Sequence, residues 1–214
     1  MIEAMTKLAV VAVALGIWFA TQRWIAALEG GTKGIGDMVH RWTRGIHRYL
    51  ARNPKAADRL LIGSSFCIDV LGISMIALAL FGPTFRPFLA ILLVFALRQV
   101  SQLCCTLPPP PGMIWRNPGV PSLLVTYGVG NDFFFSGHTA LAVLGAIEIS
   151  RIAPPWLGAV CMFVALGEAI VVLLLRAHYT MDVITGALAA CLAAHLAGRL
   201  APPVDDWIRA ISCI

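Results

Sequence analysis

Charged residues are scarce in this sequence. Asp, Glu, Lys and Arg supply only 13% of its 214 residues, whereas hydrophobic residues supply 59%. The mean hydropathy of +0.83 is far above that of a water-soluble domain, so the composition excludes a soluble globule. The net charge of +5 does not indicate a nucleic-acid partner either, because the positive residues lie beside apolar blocks, where anionic lipid headgroups would meet them.

Paired cysteines and clustered acids are also missing. The six cysteines have no disulfide or zinc spacing and lie mostly inside apolar blocks, where we interpret them as small apolar fillers. The carboxylates are scattered along the chain without metal-ligand spacing. The sequence therefore predicts no metal site, no cofactor and a metal-independent reaction.

Long apolar runs are what the chain has in abundance, and each is long enough to cross about 30 Å of hydrocarbon. We predict an all-α polytopic membrane protein, a bundle of six transmembrane helices forming one domain over residues 1–214. A cleaved signal peptide is the alternative for the first run, but apolar residues continue past Arg23 and favour a retained helix. The predicted spans cover 7–28, 60–81, 85–106, 134–152, 155–175 and 181–200.

The segment 35–52, between the first two spans, predicts an amphipathic helix. Apolar residues such as Met38 and Trp42 recur with helical spacing, and basic residues such as Arg41 and Arg44 occupy the other side. It is either an interfacial helix or a basic helix packed over the bundle. Topology places it on the same membrane face as the loops after spans three and five.

The first of two polar clusters on that face begins at Asn131 and ends at Thr139, at the mouth of span four. It contains Ser136 and His138 at a predicted helix start, where free N–H groups and the positive end of the helix dipole favour an anion. A simple helix cap is the alternative role for Ser136.

The second polar cluster runs from Arg176 to Asp182, in the loop after span five. His178 and Asp182 are four residues apart, so we expect the carboxylate to accept the ring N–H. Two histidines and an arginine on one face suit phosphoryl transfer. One imidazole attacks phosphorus, the other protonates the leaving oxygen, and the cation stabilises the phosphoryl oxygens.

These motifs resemble those of a known superfamily. Ser136-Gly-His138 and His178-x-x-x-Asp182 are similar to the second and third motifs of the type 2 phosphatidic acid phosphatase (PAP2) superfamily, a six-helix membrane fold. The flanking residues 132–139, and Arg98 followed by 106–110, resemble the sphingomyelin synthase branch. Residues 50–54 and 176–182 are most similar to the plant phosphatidylcholine:diacylglycerol cholinephosphotransferases. The similarity runs from about Asp37 to Leu200.

The resemblance implies a reaction and roles for residues. It makes His178 the nucleophile, Asp182 its orienting carboxylate, and His138 the acid that protonates the leaving oxygen and then the base for the acceptor hydroxyl. The implied substrates are a membrane phospholipid that donates phosphocholine and a lipid alcohol acceptor, diacylglycerol or ceramide. We predict that five residues bind the substrate: Asp132, Ser136, Arg98, Arg176 and Tyr179.

Departures from the phosphatase branch favour a headgroup transferase. Phe135 stands where that branch has Pro, Val172 stands where it has Arg, and its Lys-x6-Arg-Pro motif is missing. A lipid phosphate phosphatase and a non-enzymatic carrier or scaffold remain the alternatives.

The resemblance also implies a catalytic face that is extracytoplasmic or lumenal. The Arg-rich segment 41–59 favours the opposite orientation, but a surface helix can hold its charges against headgroups.

Ionisable residues inside the predicted spans give a last expectation. Arg98, Asp69 and Glu168 lie at one depth, so we expect Arg98 to pair with one or both acids, either to lock the helices or to line a headgroup pocket. Glu148 and Arg151, three residues apart, are expected to pair with each other.

The run of three phenylalanines at 133–135 either forms an apolar rim that limits water around the intermediate or anchors the helix at the interface.

Overall fold

The computed structural model describes residues 2–27, 35–127 and 133–212. Within these ranges the chain forms eight α-helices and no strands, so the predicted all-α class is confirmed. In chain order the helices are α1 (Ile2–Ala26), α2 (Met38–Trp42), α3 (Arg44–Arg52), α4 (Pro54–Phe81), α5 (Arg86–Cys104), α6 (Gly137–Ser150), α7 (Pro155–Leu174) and α8 (Thr180–Ser212).

Five of these helices are long and apolar enough to cross a membrane, namely α1, α4, α5, α7 and α8. The predicted span 134–152 corresponds to α6, which has only 14 residues and is about 21 Å long at 1.5 Å per residue. Helix α6 contacts α4, α5, α7 and α8 and is the central helix of the bundle. Its small residues, among them Ala140, Ala142 and Gly145, are buried and allow this close packing.

Helix α8 is longer than predicted. The predicted span ends at Leu200, but the helix continues to Ser212 although Pro202 and Pro203 each lack a backbone donor. The extension packs onto the start of α5. There the carboxylate of Asp205 accepts hydrogen bonds from Thr84 Oγ1 at 2.6 Å and from the backbone N–H of Phe85 at 2.7 Å. Its negative charge at a helix N-terminus is favourable.

The segment predicted as one amphipathic helix is two short helices, α2 and α3, which meet at Thr43. Most of the predicted apolar stripe faces outward, and Trp42 is 75% exposed. Leu50, at the end of that stripe, is buried, and so are His40 and His47 on the other side. His47 lies on the predicted basic side, and its ring bonds to the carbonyl oxygen of Leu174 in the bundle. The segment is therefore packed over the helices with its apolar side free.

The first apolar block packs into the bundle as α1, which contacts α4, α5 and α8. The ring of Trp18 stacks on Phe95 with their centroids 4.7 Å apart. The cysteines within the described residues are free thiols, and of these only Cys161 is buried.

Candidate active site

The two polar clusters meet at one cavity. His138 from the start of α6, His178 from the turn between α7 and α8, and Arg98 from α5 all line it. Its volume is about 50 Å³, enough for water molecules but smaller than a phosphocholine group. The aromatic rings of its wall belong to Trp18, Phe95, Trp115 and Phe133.

The position of His138 is fixed by the cap of α6. Ser136 Oγ accepts the backbone N–H of Thr139 at 3.2 Å, so the cap alternative for Ser136 is confirmed. The backbone N–H of Ser136 donates to Asp182 O at 2.9 Å and ties α6 to α8. The rings of Trp115 and His138 pack edge to face, with their centroids 5.1 Å apart. Nε2 of His138 is buried with no hydrogen-bond partner among the described residues.

His178 is held differently from the prediction. Its Nδ1 lies 3.0 Å from the carbonyl oxygen of Phe133, and since a carbonyl only accepts, Nδ1 carries the proton and Nε2 the lone pair. Asp182 Oδ2 lies 3.8 Å from Nδ1, which is too far for a hydrogen bond. That oxygen instead accepts the backbone N–H of Tyr179 at 2.8 Å. The carbonyl of Phe133 therefore sets the tautomer of His178.

Both clusters contain a residue with a left-handed backbone. Phe135 has a φ of 46° and Arg176 a φ of 54°, which is rare for residues other than glycine. The Phe135 turn aims its carbonyl oxygen at Arg98 Nε, 3.4 Å away. Strained residues of this kind cluster at functional sites, and here each precedes one of the two histidines by two or three positions.

Arg98 lines the cavity beside the start of α6. Its Nη1 donates to Gln22 Oε1 of α1 at 3.4 Å. A Cβ on Gly137 would lie 3.1 Å from Arg98 Nε, so the glycine of the Ser-Gly-His turn gives the guanidinium room beside the start of α6.

The predicted ion pair of Arg98 with Asp69 or Glu168 is wrong for the described residues. Asp69 accepts the backbone N–H groups of Leu123 and Leu124, each at 2.9 Å. Glu168 accepts from Ser64 Oγ at 2.5 Å. Asp69 therefore anchors the loop after α5, and Glu168 joins α7 to α4.

Arg176 and Tyr179 do not line the cavity. Arg176 Nη1 donates to Pro111 O at 2.7 Å, and its Nη2 donates to His40 O at 3.4 Å. The Tyr179 hydroxyl accepts the backbone N–H of Ile35 at 3.1 Å. Both side chains join the turn before α8 to neighbouring segments. Asp132, the remaining predicted substrate-binding residue, lies outside the described residues.

The predicted rim of phenylalanines divides into two environments. Phe133 lines the cavity, and its carbonyl holds His178. Phe135 instead belongs to the hydrophobic core and is 1% exposed. A water-excluding role is thus open to Phe133 but not to Phe135.

Sequence reasoning missed the residues of α2 and α3 that hold the His178 turn. Asp37 Oδ2 accepts the backbone N–H of Thr180 at 2.6 Å. His40 Nε2 lies 3.0 Å from His178 O, and His47 Nδ1 lies 2.9 Å from Leu174 O. The polar residues Asp37, His40 and His47 recur at helical spacing and were a usable signal, but the more numerous arginines obscured it.

The electrostatics of this contact favour an ionised acid and a neutral imidazole. Burial opposes ionisation of Asp37, but hydrogen bonds from Thr180 and His40 outweigh it and hold the pKa of the carboxyl below its ordinary 3.8. Burial lowers the pKa of His40 below its ordinary 6.5, although Asp37 opposes the shift. A neutral His40 can donate its Nε2 proton to the carbonyl of His178.

The fold and the site define a helical membrane protein with two histidines and an arginine around one buried cavity. The family model described as AtPDCT1/2, the phosphatidylcholine:diacylglycerol cholinephosphotransferases, matches residues 36–199, and the chain belongs to this family. The match covers both histidine clusters and α2. No curated protein and no solved structure matches the chain. The wider resemblance to the PAP2 superfamily stays an interpretation of the motifs.

Proposed function

We propose that this chain transfers phosphocholine from phosphatidylcholine to the hydroxyl of a lipid alcohol through a phosphohistidine on His178. Diacylglycerol is the acceptor that the family favours, and ceramide is the alternative. The observation that carries the proposal is that His138, His178 and Arg98, from three separate segments, line one cavity. The fixed tautomer of His178 adds support because it leaves Nε2 as the nucleophilic nitrogen.

In the first step, Nε2 of His178 attacks phosphorus, and the bond from phosphorus to the diacylglycerol oxygen breaks. His138, in its protonated form, gives its proton to that oxygen. Asp182, 3.8 Å from Nδ1, stabilises the positive charge that develops on the His178 ring. Arg98 offsets the negative charge of the phosphoryl oxygens.

In the second step, the acceptor hydroxyl gives its proton to His138 and attacks phosphorus, and the bond from His178 to phosphorus breaks. Both histidines return to their starting states. The described side chains that line the cavity include the cation Arg98 and no carboxylate. We therefore assign charge stabilisation to Arg98 and keep the reaction metal-independent.

An apolar groove offers a path for the lipid chains. It has a volume of about 560 Å³, lies between α6, α7 and α8, and reaches Thr139 and Val183. These two residues follow His138 and Asp182 directly in the sequence. We assign the groove to the acyl chains of a substrate whose polar end enters the cavity, which must widen to admit it.

The membrane placement follows from the same assignment. Helix α6 and the apolar residues before it would form the sixth span, and the exposed apolar side of α2 and α3 would lie among headgroups. The catalytic face would then be extracytoplasmic or lumenal, as the motifs imply.

The test is a transfer assay with purified protein, phosphatidylcholine labelled in its headgroup, and diacylglycerol with distinguishable chains. Labelled phosphatidylcholine carrying the acceptor's chains is the expected product. His178→Ala should lose both this product and the acid-labile phosphoryl-enzyme. His138→Ala should also lose transfer, yet it should still release p-nitrophenol from p-nitrophenyl phosphocholine, because that leaving group needs no proton.

Three results would contradict the proposal. Phosphohistidine trapped in His178→Ala would overturn the nucleophile. Inorganic phosphate released from phosphatidic acid, without headgroup transfer, would identify a lipid phosphate phosphatase. Cellular activity that survives His178→Ala would indicate a carrier or scaffold.

A further inference from the structure

A second, open cavity lies at the end of α6 opposite to the histidines, and Arg151, His195 and Arg199 in its wall are exposed. Its volume is about 430 Å³, and it lies between the end of α6, the start of α5 and α8. Thirteen residues separate His138 from Arg151, so this cavity is about 20 Å from the candidate active site. Four basic or titratable side chains line it: Arg86, Arg151, His195 and Arg199.

The charge of Arg86 is neutralised at this cavity. Its Nε lies 2.9 Å from Glu148 Oε2 and its Nη2 lies 3.0 Å from Glu148 Oε1, a bidentate pair. Nη2 also donates to Ala194 O at 3.1 Å. A Cβ on Gly198 would lie 2.7 Å from Arg86 Nη1, so the glycine lets the guanidinium lie against α8. The ion pair forms a fixed polar floor.

The charges of the other two arginines, Arg151 and Arg199, are not neutralised by an acid among the described residues. The expected pair of Glu148 with Arg151 is wrong, because Glu148 bonds to Arg86 instead. Within the described part of the chain, neither Arg151 nor Arg199 has a carboxylate within ion-pair distance. The cavity therefore carries two uncompensated guanidinium charges on two adjacent helix segments.

We propose that this cavity binds the phosphate group of an anionic phospholipid. Two guanidinium groups suit a phosphodiester, which each can contact through paired N–H donors. A basic pocket between transmembrane helices is a recognised form of headgroup site. The apolar side chains of Leu192 and Leu200 on α8 are 48% and 45% exposed and would meet the acyl chains. Phosphatidylcholine carries a positive choline group beside its phosphate, so the two arginine charges stabilise its binding less than that of an anionic lipid.

The test measures which lipid stays with the protein. The full chain is reconstituted in vesicles of phosphatidylcholine with a minor fraction of phosphatidylglycerol, and co-purified lipid is quantified by native mass spectrometry. The pocket variant is Arg151→Gln with Arg199→Gln. The matched control is Arg48→Gln with Arg52→Gln, which removes the same charge from exposed positions of α3. We expect the pocket variant to lose roughly thirtyfold in preference for phosphatidylglycerol, and the control to keep it.

Equal retention of phosphatidylglycerol in the pocket variant and the control would overturn the proposal. Displacement of the lipid by excess inorganic phosphate would show that the ligand is a free anion and would overturn the lipid assignment. If the glutamine variant fails to fold, Arg151→Lys with Arg199→Lys keeps the charge and should retain part of the preference. Headgroup transfer in pure phosphatidylcholine vesicles should be unchanged, so this proposal and the proposed function can fail separately.

Discussion

Asp37 at the start of α2 holds Thr180 at the start of α8 through both of its carboxylate oxygens. Oδ2 accepts the backbone N–H at 2.6 Å and Oδ1 accepts the hydroxyl at 2.8 Å. His178 lies two residues earlier, and its carbonyl bonds to His40. A segment that contributes no side chain to the cavity wall therefore fixes the turn that carries the proposed nucleophile.

Asp37→Asn should loosen that turn. The amide has one acceptor oxygen in place of two and no charge, so we expect a loss of about 1 to 3 kcal/mol in stability and a lower rate of transfer. Thermal unfolding and the transfer assay measure the two effects. The matched control is Asp58→Asn, because Asp58 pairs with Arg116 on the surface and such pairs contribute little. Equal effects of the two substitutions would contradict the positioning role of Asp37.

Asp182→Asn separates the charge of this carboxylate from its hydrogen bond. The asparagine oxygen can still accept the N–H of Tyr179, so the unfolding temperature should change little. The negative charge near His178 Nδ1 is lost, and transfer should fall at least roughly a hundredfold. Asp182→Ala should lose both stability and transfer. A rate within a fewfold of wild type for Asp182→Asn would limit the residue to a structural cap.

The sequence was sufficient to locate the membrane helices and both histidine clusters, because these depend on local patterns. Apolar runs place each of the five long helices, although α4 begins earlier and α8 ends later than the runs indicate. The Ser136 cap and the four-residue spacing of His178 and Asp182 are properties of helix starts. These features depend on neighbouring residues in the sequence and not on contacts with distant parts of the chain.

Partners that lie far away in the sequence could not be predicted. The spacing of His178 and Asp182 permits a hydrogen bond, but the carbonyl of Phe133 takes the ring proton instead. Glu148 has Arg151 three residues away, yet it pairs with Arg86 across the bundle. In both cases a tertiary contact outcompetes a local one, and only the packing of α5, α6 and α8 decides it.

Gly186→Ala should disturb the junction of the two histidine clusters. A Cβ at this position would lie 2.6 Å from the backbone oxygen of Ser136, so α8 must move away from the start of α6. We expect a loss of about 1 to 3 kcal/mol in stability together with reduced transfer. Gly167→Ala on α7 is the control, because its Cβ would meet nothing within 4 Å. Wild-type behaviour of Gly186→Ala would show that the junction tolerates displacement.

The groove between α6, α7 and α8 gives a prediction about substrate access. Ala187 lines it, and a tryptophan there would fill the space that we assign to an acyl chain. Ala187→Trp should lower kcat/KM for long-chain diacylglycerol by roughly tenfold. The reaction of His178 with water-soluble p-nitrophenyl phosphocholine should be unaffected, because that substrate has no chain to place.

Ala77→Trp is the matched control for the groove. Ala77 lines a different apolar groove, of about 760 Å³, which also contains Phe81 and Ile152 and therefore lies toward the end of the bundle opposite to the histidines. Both substitutions place a large ring on a lipid-facing surface, so a general effect on packing or insertion should appear in both. If the groove beside Thr139 admits the substrate, only Ala187→Trp will discriminate between the long-chain acceptor and the water-soluble substrate. An equal loss with both substrates, or in both variants, would show that lipid reaches the cavity by another path.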